Sequence, residues 1–248
     1  MTYTNEGLVA HVQAAAKLKT KYMWGGILRE ITIPYIEQLR SMYGTKAGTG
    51  YSEARYKSLY TVAGHGYYGC DCVGLVKSYY WSGKQNGGTG SPKYDGKTDV
   101  NAGTMYAQAK VKGSIDTLPE RPGVIVISKT AGNHVGVYIG NGETIECTLG
   151  QRGDGIVKRK LDSLWTDWFE CPFISYNRVD TVLKTVTLAY NAQIRRDPRY
   201  KSESLGLLTA GTKCVIYTNT KQTDPATKYE YVKLYGRDGW IVSSSIGK

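Results

Sequence analysis

The chain has 248 residues, 41% of them hydrophobic and 21% charged. That fits one large globular domain or two small ones and excludes a disordered, collagen-like or coiled-coil polypeptide. Two values depart from the average, 21 Tyr against 2 Phe and a formal net charge of +11: tyrosine suits surfaces that are apolar and hydrogen-bonding at once, and the charge implies a polyanionic setting such as nucleic acid, anionic lipid or an acidic cell wall.

Residues 5–21 carry Leu8, Val9, Val12, Ala15, Ala16 and Leu18 near helical spacing, which predicts an amphipathic helix. This stretch lacks the basic start, apolar run and small-residue cleavage site of a signal peptide. No window reaches the roughly 18 apolar residues of a membrane span. The expectation is a chain made in the cytoplasm with no leader and no transmembrane segment. Tyr22-Met23-Trp24-Gly25-Gly26 breaks the helix. Residues 33–43 predict a second helix, with Pro34 in its first turn. Residues 44–69, rich in Gly, Tyr and Ser, read as a loop. Asp71 to Trp81 is apolar at helical spacing, with Asp71 as N-cap. Residues 82–104 read as a long polar surface loop.

From Pro122 the period becomes strand-like. Val124–Ile127 predicts one strand. Val135–Ile139 and Thr144–Cys147 predict a hairpin about Gly140-Asn141-Gly142. Residues 156–160 and 171–178 read as further strands. Beyond about residue 180, short strands alternate with Gly, Pro and Asn/Asp turns, which fits a small all-β barrel. The expected fold class is therefore α+β: helices on an antiparallel sheet over residues 1–180, then a barrel over 183–248. The latter segment holds 11 of the 32 basic and 5 of the 21 acidic residues, a net charge of +6.

The five cysteines are odd in number and irregularly spaced, which argues against a disulfide framework. Cys72 falls in the first turn of a predicted helix, where unpaired amides and the helix dipole favour a thiolate. His134 opens a strand and shares a face with Gly136 and Tyr138, leaving a groove, while Val135, Val137 and Ile139 point into a core. Glu146, on the returning strand, has the same parity as His134. The three supply a nucleophile, a base and an orienting acid. Singly, each has an ordinary reading: Cys72 as a core thiol, His134 as a structural histidine, Glu146 as a surface acid. A zinc site from His65, Cys70, Cys72 and Cys147 is the metal alternative. The single residue between Cys70 and Cys72 is short for zinc pairs, so no metal and no other cofactor is expected.

These residues resemble the NlpC-type family of papain-like cell-wall peptidases. The matching pieces are Tyr22-Met23-Trp24-Gly25-Gly26, Asp71-Cys72-Val73-Gly74-Leu75-Val76, the run His134 to Gly142, and Glu146. The resemblance covers roughly residues 8–178. It implies a papain-like fold, Cys72 as nucleophile, His134 as general base, Glu146 orienting the imidazole, and Tyr22 helping to hold the oxyanion. Trp24, Asp71 and Tyr138 are the expected substrate-binding positions. Three features depart from the family pattern: Val73 stands where the family has Ser, Glu146 where it often has His, and residues 27–69 form an insertion that reshapes the groove. The C-terminal segment resembles bacterial Src-homology-3-type wall-binding barrels. The resemblance lies in Ile194-Arg195, Asp197-Pro198, Leu205-Gly206, Gly211-Thr212-Lys213, Tyr231 to Leu234, and Asp238-Gly239-Trp240-Ile241. There Tyr190, Tyr200, Tyr217, Tyr229, Tyr235 and Trp240 are groove aromatics, Trp240 alternatively a core residue.

The resemblance implies a peptidoglycan hydrolase of the bacteriophage endolysin kind, monomeric, acting after the membrane is permeabilised. The expected bond is D-glutamyl–diamino acid, with the N-acetylmuramoyl-L-alanine amide as alternative. A non-catalytic wall-binding protein is a second class, and an acyltransferase on the same scaffold a further one. Nucleic-acid binding rests on charge alone, since no recognition helix, finger or stacking motif is present.

Overall fold

The computed structural model describes residues 2–176, 183–235 and 239–247, the side chains of 183 and 218–220 excepted. Packing divides the chain into two units, Met1–Asn177 and Arg178–Lys248. The boundary expected at 180–183 lies largely outside the described residues.

The first unit contains α1 (Asn5–Ala15), β1 (Lys19–Tyr22), β2 (Ile27–Glu30), α2 (Ile33–Tyr43), α3 (Glu53–Tyr60), β3 (Tyr67–Cys70), α4 (Cys72–Trp81) and α5 (Ala102–Gln108). Then come β4 (Lys112–Ser114), β5 (Ile125–Ser128), β6 (His134–Gly140), β7 (Glu143–Gly150), β8 (Gly153–Lys160) and β9 (Asp167–Phe169). Each α-helix begins at a side-chain cap: Thr4, Thr32, Ser52, Asp71 and Asn101 accept a backbone N–H from three residues on. These caps satisfy amides that the first helical turn leaves unpaired.

The main sheet runs β4-β9-β5-β6-β7-β8, with every pairing antiparallel. A smaller sheet, β1-β3-β2, pairs β1 with β3 in parallel. Helix α4 packs against α1, β2, β6 and β7. Leu8, Val12, Leu75, Val76, Tyr79, Val135, Val137 and Ile145 form the core between them. The opposite face of the main sheet is also covered: Tyr138 is buried with Val124, Val126, Trp165 and Trp168 in a second cluster. The groove expected along His134, Gly136 and Tyr138 is therefore filled beyond its His134 end.

Three segments differ from expectation. The helix expected over residues 5–21 ends at Ala15, and Lys19–Tyr22 is instead strand β1, paired with β3. Residues 44–69 are not a loop: α3 and β3 lie there. With Met23, Ile31, Tyr35, Ile36 and Leu39, their Tyr56 and Leu59 build a separate core. Low apolar content in α3 hides it, because only Tyr56 and Leu59 of this short, otherwise polar helix are buried. Residues 171–178 are not a strand over the described residues; the last strand of this unit is β9, and Ser175 makes only an isolated bridge to Thr4.

The second unit holds β10 (Leu183–Thr187), β11 (Ala192–Arg195), β12 (Ser204–Leu208), β13 (Lys213–Thr223), β14 (Glu230–Leu234) and β15 (Trp240–Val242). They pair in the order β10-β13-β14-β15-β11-β12, over a core of Val186, Ile194, Ile216, Val232, Leu234 and Ile241. Among the described residues β10 and β12 do not pair, and no closed barrel is found there. Among the described residues no helix is long and apolar enough to cross a membrane.

Candidate active site

The start of α4 is built by two interlocking short motifs. Asp71 Oδ1 accepts the Gly74 amide at 2.5 Å, and its Oδ2 accepts the Gly25 amide at 2.8 Å. The Gly26 carbonyl accepts the Asp71 amide at 3.2 Å. A Cβ on Gly74 would lie 1.8 Å from that same carbonyl oxygen, so only glycine lets the helix approach the Trp24-Gly25-Gly26 turn so closely. Asp71 is thus buried and committed to two amides of the fold. Burial pushes its carboxyl up, against the pull of those two hydrogen bonds.

This scaffold fixes Cys72 as the first residue of α4. The residue keeps partial exposure. Burial nevertheless pushes its thiol up to about 12, and the charge of Asp71 adds to the shift. Backbone interactions with Val135 and Val73 act the other way. The dipole argument of the sequence is therefore outweighed here, since burial opposes the thiolate more than these interactions favour it. Val135 follows His134 on β6, so the thiol lies beside the strand that carries His134.

His134 opens β6, and Glu146 on β7 stands opposite Gly136. The two side chains share a face as diagonal neighbours. His134 Nε2 is hydrogen-bonded to Glu146 Oε2. Among the described residues Nδ1 makes no hydrogen bond, so the ring is anchored at one nitrogen and free at the other. Trp165 stacks on the imidazole with centroids 5.6 Å apart and planes 18° apart. Gly136 makes room for it, since a Cβ there would meet the indole at 2.9 Å.

Glu146 is fully buried. Arg152 donates to its Oε1 from Nη2 at 2.7 Å and from Nε at 3.2 Å, and to Asp162 from Nη1 at 2.7 Å. Burial by itself raises the Glu146 carboxyl, but the bonds from His134 and Arg152 win and hold it below its ordinary value. Arg152 and Trp165 were not singled out in the sequence. Neither belongs to a motif: Arg152 lies in the β7–β8 turn beside Glu146, and the chain after β8 brings Trp165 to His134.

Tyr22 and His134 line a cleft of about 300 Å³ with Ala131, Thr148, Leu149, Arg152, Leu164 and the Gly48–Gly50 loop of the insertion. Burial pushes the Tyr22 hydroxyl up, and the charges of Asp71 and Cys72 add to it. It therefore remains a proton donor at neutral pH. Cys72, Trp24, Asp71 and Tyr138 are not among the lining residues. Trp24 is 38% exposed, and its carbonyl accepts the Tyr51 hydroxyl at 3.0 Å. Tyr138 is buried, with its hydroxyl on Glu120.

Cys147 donates its thiol to the Cys70 carbonyl at 3.0 Å, and His65 is exposed. Among the described residues no three His, Cys, Asp or Glu side chains are placed to hold a metal. In the second unit Trp240 is half-buried and outside the core, Tyr190 is exposed, and the exposed Tyr200 and Tyr229 pack edge to face at 6.3 Å. Tyr217 is buried, with Tyr235 edge to face against it. Asp238 lies outside the described residues.

No curated protein matches the chain. Among solved structures it is similar to "The crystal structure of Ly7917", at 16% identity and a TM-score of 0.23, over 69% of this chain and 82% of that one. It is likewise similar to "The crystal structure of Ly7917 with the hydrolyzing product of MDP", at 16% identity and a TM-score of 0.23, over 69% and 83%. Residues 57–171, which contain Cys72, His134 and Glu146, match the NlpC/P60 family, whose members are cysteine peptidases acting on peptidoglycan, and this match supports a cell-wall hydrolase.

Proposed function

We propose that the chain cleaves peptidoglycan stem peptides by acyl transfer to Cys72, with a D-glutamyl–diamino acid bond as target. The observation that carries this reading is the anchoring of His134 through Nε2 on a buried, ionised Glu146. That leaves Nδ1 for proton transfer, on a strand whose next residue, Val135, interacts with the Cys72 thiol through its backbone. His134 Nδ1 takes the thiol proton as the sulfur attacks the scissile carbonyl. The developing imidazolium is stabilised by Glu146. The Tyr22 hydroxyl and the Cys72 amide stabilise the oxyanion. His134 returns the proton to the leaving amine. Water, deprotonated by the same nitrogen, then releases the acyl group as a carboxylate and restores the thiol.

The second unit, in this reading, is a Src-homology-3-type module that holds the wall. Its net charge of +6 over residues 183–248 supports electrostatic capture. Purified walls digested with the wild-type chain and with Cys72→Ala test both parts. Mass spectrometry of the products should show new amines on a diamino acid with the wild type and none with the variant, which should still sediment with walls. Glycan strands stripped of whole peptides would instead identify the amide next to muramic acid as the target. Turnover by Cys72→Ala would overturn the thiol mechanism. Salt should release the variant from walls more than it slows wild-type cleavage of a soluble stem peptide.

A further inference from the structure

The insertion between the Trp24-Gly25-Gly26 turn and α4 does more than enlarge the cleft. Its helix α3 carries Arg55, whose side chain is 11% exposed. Arg55 Nη1 donates to Asp154 Oδ2 at 2.7 Å and Nη2 to Asp154 Oδ1 at 2.6 Å. This is the paired geometry in which a guanidinium and a carboxylate bind most firmly. The same Nη2 reaches the Tyr22 carbonyl at 2.5 Å. Asp154, on β8, also accepts the Tyr22 amide at 3.1 Å and the Lys21 ammonium at 2.9 Å. Both backbone polar groups of Tyr22 are thus held by one ion pair, of which one member comes from the insertion and the other from the main sheet. Thr20 of the same strand, β1, also accepts the Ile156 amide of β8 at 2.8 Å. This strand pairs on one side with β3, and its other side meets β8 through these contacts.

We propose that Arg55 is a positioning residue: through Asp154 it fixes the Tyr22 backbone, and thereby places the Tyr22 hydroxyl for the oxyanion. This rests on the reading of Tyr22 given above. The insertion is then part of the machinery, and its Gly48–Gly50 loop, which lines the same cleft as Tyr22, is carried on a segment already tied to the reacting centre.

A double-mutant cycle on the full chain tests this, with kcat and KM read on a soluble stem peptide and folding followed by thermal melting. Tyr22→Phe should lower kcat by about 100-fold, the usual cost of an oxyanion donor. Arg55→Ala should lower kcat by about tenfold with KM nearly unchanged, because misplacement of a group acts on the transition state. In the Tyr22→Phe background the further loss from Arg55→Ala should shrink below about twofold, since no hydroxyl is left to place. Arg55→Lys keeps a cation on Asp154 without the fork and should recover part of kcat, which keeps the test valid if Arg55→Ala folds poorly. Equal losses from Arg55→Ala in both backgrounds, or no loss in either, would overturn the positioning role while leaving Tyr22 and Cys72 untouched. Full kcat in Tyr22→Phe, with Cys72→Ala inactive, would remove the Tyr22 role and this proposal together while leaving the thiol mechanism standing.

Discussion

Around Cys72 the neighbours are backbone amides, Asp71 and apolar walls; around His134 they are charged side chains with an ordered set of bonds. In the first region burial holds the thiol neutral, up at about 12. The second buries a carboxylate completely and keeps it ionised with an arginine that is itself tied to Asp162. A helix N-terminus alone does not make a thiolate when desolvation opposes it. In the proposed mechanism the driving force for deprotonation comes from the base side, where Glu146 stabilises the imidazolium as it forms, so the thiol is activated as substrate binds and does not rest as an ion pair.

Breaking the charged side should have the largest effect. Glu146→Gln leaves the shape but removes the negative charge and orients the ring less well, and kcat should fall by about 10³–10⁴-fold in stem-peptide turnover. A loss under tenfold would mean that the Cys72 side carries activation by itself. The second test reads the thiol directly. Set against an ordinary cysteine near 9, a thiol near 12 has about 10³-fold less thiolate at neutral pH. Iodoacetamide should therefore label Cys72 slowly at pH 7 and faster as pH rises, with no plateau below about 9. Fast labelling at pH 7 would reveal a resting thiolate and erase the contrast between the two regions.

A smaller effect is expected at Arg152. Arg152→Met removes two hydrogen bonds and a charge from Glu146, and burial, no longer opposed by them, raises its carboxyl. The sign follows from the wild-type state. Glu146 lies below its ordinary value, so its contribution is complete above about 4.5 and is lost only as pH falls further. In Arg152→Met the onset of acid inactivation should move to higher pH, and kcat should fall by about tenfold to 100-fold. A pH profile that drops uniformly without moving would assign Arg152 a packing role only. The smallest expected change is at Trp165: replacing it by Leu removes an aromatic contact worth about 1 kcal/mol, or roughly fivefold in kcat if the stack holds the ring in its reactive pose. Wild-type kcat in that variant would leave Glu146 as sole orienter.

Much of the first unit was legible because its signals are local. Pro34 and Asp71 mark helix starts, and helices over Ile33–Tyr43 and Cys72–Trp81 are found there. Strand alternation placed His134 and Glu146 on one face, and the observed register keeps them there. Residues 44–69 were misread for a physical reason: α3 has mixed polarity and buries only Tyr56, stacked on Tyr51 at 4.9 Å, and Leu59, too few apolar positions for a stripe. In the C-terminal segment turn signals located the strands, but whether such strands close is decided by pairings between distant edges.

The sequence by itself determined the positions of the thiol, the imidazole and the carboxylate, because each depends on a cap, a turn or a two-residue period. The tertiary structure alone decided their chemical states and their company. It buried the Cys72 thiol, set Arg152 on Glu146 and Trp165 on His134, and tied Tyr22 to the insertion through Arg55 and Asp154. The Arg152 contact closes across the β7–β8 turn, while the others depend on burial and on contacts between residues far apart in the chain, which have no local signature. Length and composition had left the excess of tyrosine over phenylalanine open. The first unit shows one use for it, in hydroxyls such as those of Tyr51 and Tyr56, which reach the carbonyls of Trp24 and Gly44 from inside a packed core.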